Sequence, residues 1–574
     1  MRKLVAIVLA LVMLLSVSGL ALAEGSVTQE VNTPIAGEKG EIIAKVSAPK
    51  KWDDTITVTV FRGDPGDQPT LDNKIYKLIE DVFGIKFEIE FLAGDLDETL
   101  GLKIANEDYP DLFDGGNSAE IIENAGALID LLPYINEEDT PNLYKHIYTN
   151  DRVKQLLNED GELFIIPNYG INYNGQVQNE PNGPMFFVQK QVIAWNNYVI
   201  PKTLNEYFDM LEGFLAENPV NADGTPYTGF AILCEDWRHF CLINPVQHLM
   251  GRPNDGEVIV NIHSGNWETE TFINQPYAKP YYAKLNEEYH KGLINKDTFV
   301  MNYDQYIAAL SSATILGMFD QGWDFQSAND ALKTAQKYEN TYIGIPLVYD
   351  ESYGYGKIDE HYVNGTVMNK DRGFGISVNC QYPERMIDLF ENLLSDEWQT
   401  ILQWGFEGED YYVEDGRMLM TAEQYAQTKD ATWQRANRAK AIWESAPKKQ
   451  GLMDDGNAWA PGDQAENYFG NMSAYDIDFF EKCGVRVPGD FFDKTLELAP
   501  YGEAWQIDHT AIDVDVQDFE SIQDKRLPEI IMCDPSEIDA RWDAFVEEIG
   551  PCAKVYSEFM QAEVLKLVAQ AQGE

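Results

Sequence analysis

Polar side chains follow two predicted strands at positions where they could hydrogen-bond a ligand. Arg62 and Asp64 come directly after a strand predicted over 55–61, and Asn117 and Ser118 follow a strand predicted over 111–113. A guanidinium group donates hydrogen bonds, a carboxylate accepts them, and an amide or hydroxyl does both. These residues therefore form one candidate binding set, although ordinary turn chemistry is the alternative for such a loop, above all at Asp67.

A second candidate set follows a strand predicted over 229–233. The segment Cys234–His239 contains the acids Glu235 and Asp236, the aromatic Trp237 and the cation Arg238. An indole ring offers an apolar face with a polar edge, which suits a ligand that has both kinds of surface. A surface ion pair among the acids and Arg238 is the alternative reading.

Trp323 is the strongest single candidate, since it follows a strand predicted over 315–319 and is flanked by Asp320 and Asp324. A core tryptophan that supports a turn is the alternative. Tyr169 and Tyr173 lie in a polar loop with Asn168 and Asn172, where at least one ring could reach a ligand. Trp404 and Trp459 are weaker candidates that could equally belong to the core.

The elements that position the first set alternate between strand and helix. Period-2 alternation over 55–61 predicts a strand, and an apolar face after Thr70 predicts a helix that ends at Gly84. A strand at 87–92, a short helix at 100–106 and a third strand at 111–113 are predicted next. A β-α-β-α-β order predicts a mainly parallel sheet covered by helices. In such sheets ligands bind beyond the carboxyl ends of the strands, which places Arg62–Asp67 and Asp114–Ser118 at one edge.

A different set of elements follows the first sheet. Strands are predicted at 163–167 and 185–188, and Thr203 and Glu206 have the spacing of a capping box at the start of a helix. The strand–helix pattern returns at 373–378 and at the helix that begins with Pro383. This return predicts that one lobe is built from separated segments of the chain.

Length and charge limit the class of protein. The 574 residues exceed the roughly 250–300 at which a single core stops growing, so two or more lobes are expected. The formal net charge is -52, and no basic stripe offsets it. This charge argues against nucleic acid and anionic membranes as partners.

The first 23 residues have the pattern of a signal peptide. Arg2 and Lys3 precede an apolar run, and Ala21-Leu22-Ala23 forms an A-x-A cleavage site. We predict export to the periplasm or the cell exterior, a mature chain that begins at Glu24, and a flexible linker over 24–52. The first cysteine is Cys234, so the protein is not an obvious lipoprotein.

The six cysteines leave two possibilities open. An exported chain permits disulfides, and free buried thiols are the alternative. Neither a C-x-x-C motif nor clustered histidines occur, so a zinc site is not predicted.

Several short segments, in this order behind a signal peptide, resemble the solute-binding proteins of ABC importers, specifically the large carbohydrate-binding family that includes maltose- and alginate-oligosaccharide-binding proteins. The matching segments are Tyr109–Leu112, Leu128–Leu131, Pro133–Ile135, Gly161–Pro167, Pro201–Tyr207, Gly317-Met318, Gly322-Trp323, Pro383-Glu384, Gly405–Gly408 and Tyr411. The family implies an α/β fold with two lobes of the periplasmic-binding-protein type (type II-like), a ligand cleft between them, and closure on the ligand. It implies an oligosaccharide ligand, an importer permease as partner, and a monomer.

The resemblance also implies boundaries and roles. Residues 53–165 and about 347–400 would form the N-terminal lobe, and 166–346 and about 401–574 the C-terminal lobe. Trp323 matches the family's Gly-Trp position, where a ring stacks on the sugar, and the segment around Trp237 resembles an acidic–aromatic cluster that lines the cleft. No catalytic residue and no cofactor is predicted.

Some relatives carry a calcium loop after the helix that corresponds to Leu204–Ala216. Here the loop Glu217–Gly224 lacks the alternating ligand spacing, and position twelve is Phe230 instead of a bidentate acid. This departure argues against calcium.

Two other classes remain as alternatives. A secreted glycoside hydrolase would need two carboxylates about 5–9.5 Å apart across one bond, and 95 acidic residues could supply such a pair. However, the eight-unit repeat of a (β/α)₈ barrel and the common hydrolase motifs do not occur. A binding protein for a peptide or another non-sugar solute is the second alternative.

Overall fold

The computed structural model describes residues 52, 54–149, 153, 156–158, 160–168, 170–173, 179–262, 264–358, 362–363, 368, 370–492, 494–495 and 499–572, together with the paired strands β1 (Ile35–Ala36) and β2 (Ile42–Ile43). The predicted signal peptide, most of the predicted linker, and Tyr169 lie outside these residues. Tyr173 lies on a described strand, and its side chain is not described.

The first stretch of the chain alternates between strands and helices, as predicted. Its elements are β3 (Ile56–Arg62), α1 (Lys74–Phe83), β4 (Ile85–Phe91), α2 (Leu96–Ala105), β5 (Leu112–Phe113), α3 (Ala119–Asn124), α4 (Pro141–Leu143), β6 (Ile165–Ile166) and β7 (Ile171–Tyr173). Helix α1 begins later than predicted because the side chain of Asn73, rather than Thr70, accepts from the first free N–H groups; it ends at Gly84 in a left-handed conformation.

The middle stretch forms a second α/β unit. Its elements are β8 (Pro184–Gln189), α5 (Lys190–Trp195), α6 (Leu204–Glu217), β9 (Thr228–Ala231), α7 (Phe240–Ile243), α8 (Pro245–Leu249), β10 (Val258–Val260), β11 (Thr269–Thr271), α9 (Lys279–Lys291), α10 (Tyr303–Ser311), β12 (Ile315–Gln321), α11 (Gln326–Thr334) and β13 (Tyr342–Ile345). Thr203 caps α6 as predicted, but Glu206 accepts from the N–H of Lys202, so only half of the capping box forms.

The last stretch crosses between the two units and ends in long helices. Its elements are β14 (Tyr362–Val363), β15 (Phe374–Ile376), α12 (Pro383–Leu393), α13 (Asp396–Gln403), β16 (Tyr412–Glu414), β17 (Arg417–Leu419), α14 (Ala422–Gln427), α15 (Ala431–Asn437), α16 (Lys440–Trp443), β18 (Lys449–Gly451), α17 (Ala465–Gly470), α18 (Ala474–Cys483), β19 (Lys494–Thr495), α19 (Asp513–Met532) and α20 (Ile538–Gln572). No described helix is both long and apolar enough to cross a bilayer.

Two central sheets organise the α/β fold. The first has the order β4-β3-β5-β15-β6, and the second has the order β13-β8-β12-β9. In the first sheet β3 runs parallel to β4 and β5, but β15 is antiparallel to β5 and β6. In the second, only the β12–β9 pair is parallel. The prediction of mainly parallel sheets is therefore confirmed with one exception in each sheet: β15 and β8 run against the other strands.

Each sheet has its own hydrophobic core. The first core takes in residues from Ile56 to Ile171 and again from Met368 to Ala446, and the second takes in residues from Phe186 to Tyr349 and again from Phe479 to Val568. Residues 401–446, which the sequence analysis assigned to the C-terminal lobe, thus pack in the first core. The apolar side chains of Ile401 and Ile442 reach the first sheet, and an amphipathic pattern alone does not say which sheet a helix covers.

We propose that residues 54–171 and 368–470 form one lobe, and residues 180–358 and 474–572 the other. Two parallel strand pairs accompany the crossings between them, β7 with β18 and β14 with β19. All six cysteines are free thiols, which answers the question that the sequence left open.

Candidate functional site

The edge of the first sheet brings together the loops after β3 and β5, as predicted. The two loops touch at glycine: a Cβ atom on Gly63 would overlap the backbone nitrogen of Gly116. Gly116 itself has φ near 57°, which favours glycine. This close approach sets Asp64 and Asn117 beside each other at the rim.

Arg62 lies at this edge but is only 1% exposed. Its Nε donates to Asp114 Oδ2 at 2.9 Å, and its Nη2 donates to Glu444 Oε2 at 3.3 Å. Its Nη1 donates to the carbonyl oxygen of Ala441. Ser445 Oγ donates to the same Asp114 oxygen at 2.7 Å. Arg62 therefore links the ends of β3 and β5 to α16 and the residues that follow it. Few of its N–H groups remain to bind a ligand.

Arg372 takes the place at the rim that Arg62 was expected to have. Its Nε donates to Asp64 Oδ2 at 2.6 Å, and its Nη1 donates to Asn117 Oδ1. Its backbone N–H donates to the carbonyl oxygen of Gly116. The sequence analysis missed Arg372 because it precedes a strand: β15 is antiparallel to β5, so residues before β15 lie at the edge where β5 ends.

The edge of the second sheet carries an aromatic platform. Residues after β9 and after β12 share this edge because the two strands are parallel. The indole rings of Trp237 and Trp323 stack there, with centroids 5.8 Å apart and an interplanar angle of 12°. They are 56% and 47% exposed, so both rings present apolar surface to solvent.

Arg238 packs against the rings of the aromatic platform. Its guanidinium carbon lies 4.3 Å from the ring centre of Trp237 and 3.8 Å from that of Tyr303, and the planar cation is favourable over both rings. Phe240 stacks on Trp237 as well, at 5.8 Å. Among the described residues, Trp237 is the only aromatic ring that packs against Trp323. Trp323 is therefore the ring with a face left for a ligand.

Hydrogen bonds fix the acids around the platform. Arg238 Nε donates to Asp324 Oδ1 at 3.1 Å, while burial raises the pKa of the Asp324 carboxyl. Glu235 Oε2 accepts from the N–H of Tyr303 at 2.6 Å, and the Tyr303 hydroxyl donates to the Asp324 carbonyl oxygen. The alternative reading, a surface ion pair of Arg238 with Glu235 or Asp236, does not hold, because Arg238 pairs with Asp324. Asp236 is exposed, with φ near 50°.

Asp320 lies beneath the platform and is fully buried. Its carboxylate accepts from the Tyr306 hydroxyl and from the N–H of Gln321, each at 2.7 Å. Burial is the main reason that the pKa of Asp320 rises to about 7, and the nearby Asp324 raises it further. Gln321 in turn accepts from Trp323 Nε1 at 2.9 Å, which orients the outer ring. Asp320 is thus a support for the platform.

The remaining sequence candidates are structural. Trp404 and Trp459 are buried, and Trp404 belongs to a small cluster with Tyr411 and Met418. The loop Glu217–Gly224 forms a turn in which Asn221 Oδ1 accepts from the N–H groups of Asp223 and Thr225. Asp223 is the only carboxylate between the end of α6 and β9, which does not fit the six to eight oxygen ligands of calcium.

Acidic residues of the second lobe face the first lobe. Burial raises the pKa of Glu503 to about 8, and the charged groups that raise it further are Asp255 and, across the interface, Asp371. Burial likewise raises the pKa of Glu120 on α3, and Asp508 raises it further. Trp505 is 45% exposed beside Glu503. The sequence offered no signal for these residues, because residues 499–512 follow no strand of either sheet.

Comparison with known proteins gives the fold. No family model matches this chain, and no curated protein sequence matches it. An extracellular solute-binding protein from Bifidobacterium longum subsp. infantis matches over 91% of this chain and 99% of its own, with a TM-score of 0.62 and 14% identity. An ABC-transporter-associated, HMO-binding protein from Bifidobacterium longum infantis covers 90% and 99%, with a TM-score of 0.58 and 15% identity. An alginate-binding protein, solved without calcium, covers 91% and 99%, with a TM-score of 0.54 and 15% identity. The chain has the two-lobed fold of these binding proteins.

Proposed function

We propose that this protein is the substrate-capturing component of an ABC importer, which binds an oligosaccharide between its two lobes and delivers it to the permease. The observation that carries the proposal is the exposed, stacked pair Trp237–Trp323 at the rim of the second sheet. Sugar rings have apolar C–H faces that stack on indole, and hydroxyl edges that need donors and acceptors.

The first lobe supplies such polar groups. Asp64 and Asn117 lie at its rim and are held there by Arg372. Glu235, Asp236 and Asp324 surround the platform on the second lobe, and Arg238 orients both Trp237 and Asp324. We propose Trp323 as the primary contact and the other residues as hydrogen-bonding or positioning groups, with Arg62 and Asp114 as the buried support of the first rim.

Closure of the lobes follows from the same arrangement. A ligand that contacts both rims binds only the closed form at full strength, so it shifts the population toward closure. A permease would recognise that form through surfaces of both lobes. We propose that the protein is exported through its N-terminal segment, acts outside the cytoplasm as a monomer, and has no enzymatic activity.

A binding screen tests this function. The mature chain would be titrated calorimetrically with neutral and acidic oligosaccharides and with peptides, and each bound ligand would be recovered and its length measured. We expect at least one oligosaccharide to bind and to be recovered intact. A shortened product would make the protein a hydrolase, and binding of peptides alone would move it to another transporter class.

The Trp323→Ala variant completes this test, with Tyr412→Ala as the matched control. Tyr412 is also an exposed ring but lies on the β16–β17 hairpin. Loss of sugar binding in Trp323→Ala alone is the expected result. Equal affinity in both variants would contradict the proposed site.

A further inference from the structure

The cations at the two rims are already neutralised by the protein's own carboxylates. Arg62 pairs with Asp114 at 2.9 Å, and Arg372 pairs with Asp64 at 2.6 Å. On the neighbouring α3, Glu123 accepts from Lys370, again at 2.6 Å. At the other rim Arg238 pairs with Asp324 at 3.1 Å. The positive charge in each of these pairs is already balanced by a carboxylate of the protein.

Lys448 is a further cation behind the first rim, near Glu444, Arg62 and Asp114. Its ammonium donates to the carbonyl oxygens of Glu444 and Ala446, at 2.9 and 3.3 Å, which holds it at the end of α16. Burial lowers its pKa to about 7, so a share of this group is uncharged at neutral pH. Lys448 therefore supplies little positive charge to the space between the lobes.

Carboxyl groups of the two lobes act on one another. Burial raises the pKa of Glu503 on the second lobe to about 8, and Asp255 and, from the first lobe, Asp371 raise it further. Burial raises the pKa of Asp371 to about 6, even though Arg372 beside it favours ionisation. The neighbouring acids Glu120, Asp114 and Asp64 raise the pKa of Asp371 further. At neutral pH Asp371 is therefore mostly ionised and would repel an anionic ligand, whereas Glu503, with its pKa of about 8, is mostly protonated.

We propose that the ligand is an uncharged oligosaccharide, and that the ion-paired cations and the Asp371 carboxylate select against uronate and sulfated sugars. This inference rests on the proposed function. An anion that leaves water must gain a cationic partner, and each rim cation would have to abandon a carboxylate to provide one. Hydroxyl groups can instead donate to the carboxylates without breaking any of these pairs.

A protein with the same fold shows why the charge of the sugar has to be tested. The alginate-binding protein covers 91% of this chain at a TM-score of 0.54, and alginate is a polyanion. The fold therefore accommodates either charge class, and the side chains at the rims decide between them. In this chain the arginines at the rims are paired with carboxylates of the protein.

Matched sugars test the inference. The mature protein would be titrated with β-1,4-mannotetraose, maltotetraose, cellotetraose and chitotetraose, and with tetra-β-1,4-mannuronate and tetragalacturonate. Mannotetraose and tetramannuronate differ only in the group at C6. We expect every bound sugar to be neutral, and the C6-oxidised form of that sugar to bind at least about 30-fold more weakly. Tighter binding of an acidic sugar would overturn this inference and leave the proposed function intact, whereas failure of all sugars would overturn both.

A variant separates the role of Asp371 from that of ligand shape. Asp371→Asn removes this charge with little change in side-chain volume. The discrimination between the neutral sugar and its C6-oxidised form should fall by about tenfold. Asp543→Asn, which removes the charge of an exposed acid on α20, should keep the wild-type ratio. An unchanged ratio in Asp371→Asn would refute selection by this carboxylate.

Discussion

Arg238 binds Asp324 through a single nitrogen: its Nε lies 3.1 and 3.2 Å from the two carboxylate oxygens. The side chain of Asp324 is 2% exposed and that of Arg238 is 17% exposed. The guanidinium carbon also lies 4.3 Å from the ring centre of Trp237 and 3.8 Å from that of Tyr303. One ion pair thus fixes both the acid and the aromatic platform of the candidate site.

Arg238→Met should therefore destabilise the protein by about 3 kcal/mol, because it leaves the Asp324 carboxylate buried without a partner. The double variant Arg238→Met/Asp324→Asn should recover much of that loss, since no unpaired charge remains. Urea unfolding of the wild type, both single variants and the double variant gives the coupling energy. Additive effects would mean that the pair contributes nothing to stability.

Trp323→Ala should weaken sugar binding by roughly 10- to 100-fold, which is the range for a central aromatic contact. Its stability should change little, because the ring is half exposed. Calorimetric titration and thermal unfolding measure the two effects. A large loss of stability with unchanged affinity would assign Trp323 to the core instead.

Asp320 should make the protein less stable as the pH rises. Its folded-state pKa of about 7 exceeds the ordinary value of 3.8, so the folded state holds a proton that the unfolded state releases. The stabilisation is complete below about pH 4 and is lost as the pH rises through about 7. Each pKa unit corresponds to about 1.4 kcal/mol, which limits the effect to about 4 kcal/mol.

Asp320→Asn should flatten this part of the pH profile, which urea unfolding at pH 5 and pH 8 would measure. Other buried acids, such as Glu257 with a pKa near 8, keep some pH dependence in the variant. The exposed control Asp543→Asn should retain the wild-type profile. If Asp320→Asn retained it as well, the Asp320 carboxylate would be ionised throughout this pH range.

Gly63→Ala should cost about 2 kcal/mol of stability, because the new methyl group would overlap the backbone of Gly116. It should also weaken ligand binding, since Asp64 and Asn117 follow these two glycines. Gly101→Ala is the control: Gly101 is exposed on α2, and a Cβ there meets nothing within 4 Å. That substitution should stabilise the helix by up to about 1 kcal/mol. Equal denaturation midpoints for the two variants would refute the close loop contact.

Expression of the full chain with its N-terminal segment in a secreting host should yield a mature protein that begins at Glu24. Ala21-Leu22-Ala23 provides the small residues that signal peptidase requires. N-terminal sequencing of the exported protein identifies the first residue. Retention of Met1 on a protein found in the cytoplasm would refute the predicted export.

Local patterns were sufficient for most elements of the two sheets. Alternation of apolar residues predicted β3, and the strands before Trp237 and Trp323 were predicted to within a few residues. The start of α1 differed from the prediction, because Asn73, directly before Lys74, caps the helix in place of Thr70. Strand direction was not encoded locally, which is why the antiparallel entry of β15 and β8 was missed.

The sequence by itself determined that Arg62, Asp64 and Asn117 would share an edge, because parallel strands end on the same side of a sheet. It also determined that Trp237 and Trp323 would follow strands. Only the tertiary structure decided that Arg62 is buried, that Arg372 replaces it at the rim, and that Trp237 and Trp323 stack. These outcomes depend on which distant segments meet: Arg62 and Arg372 are 310 positions apart in the chain, and only tertiary packing brings them to the same edge of the first sheet.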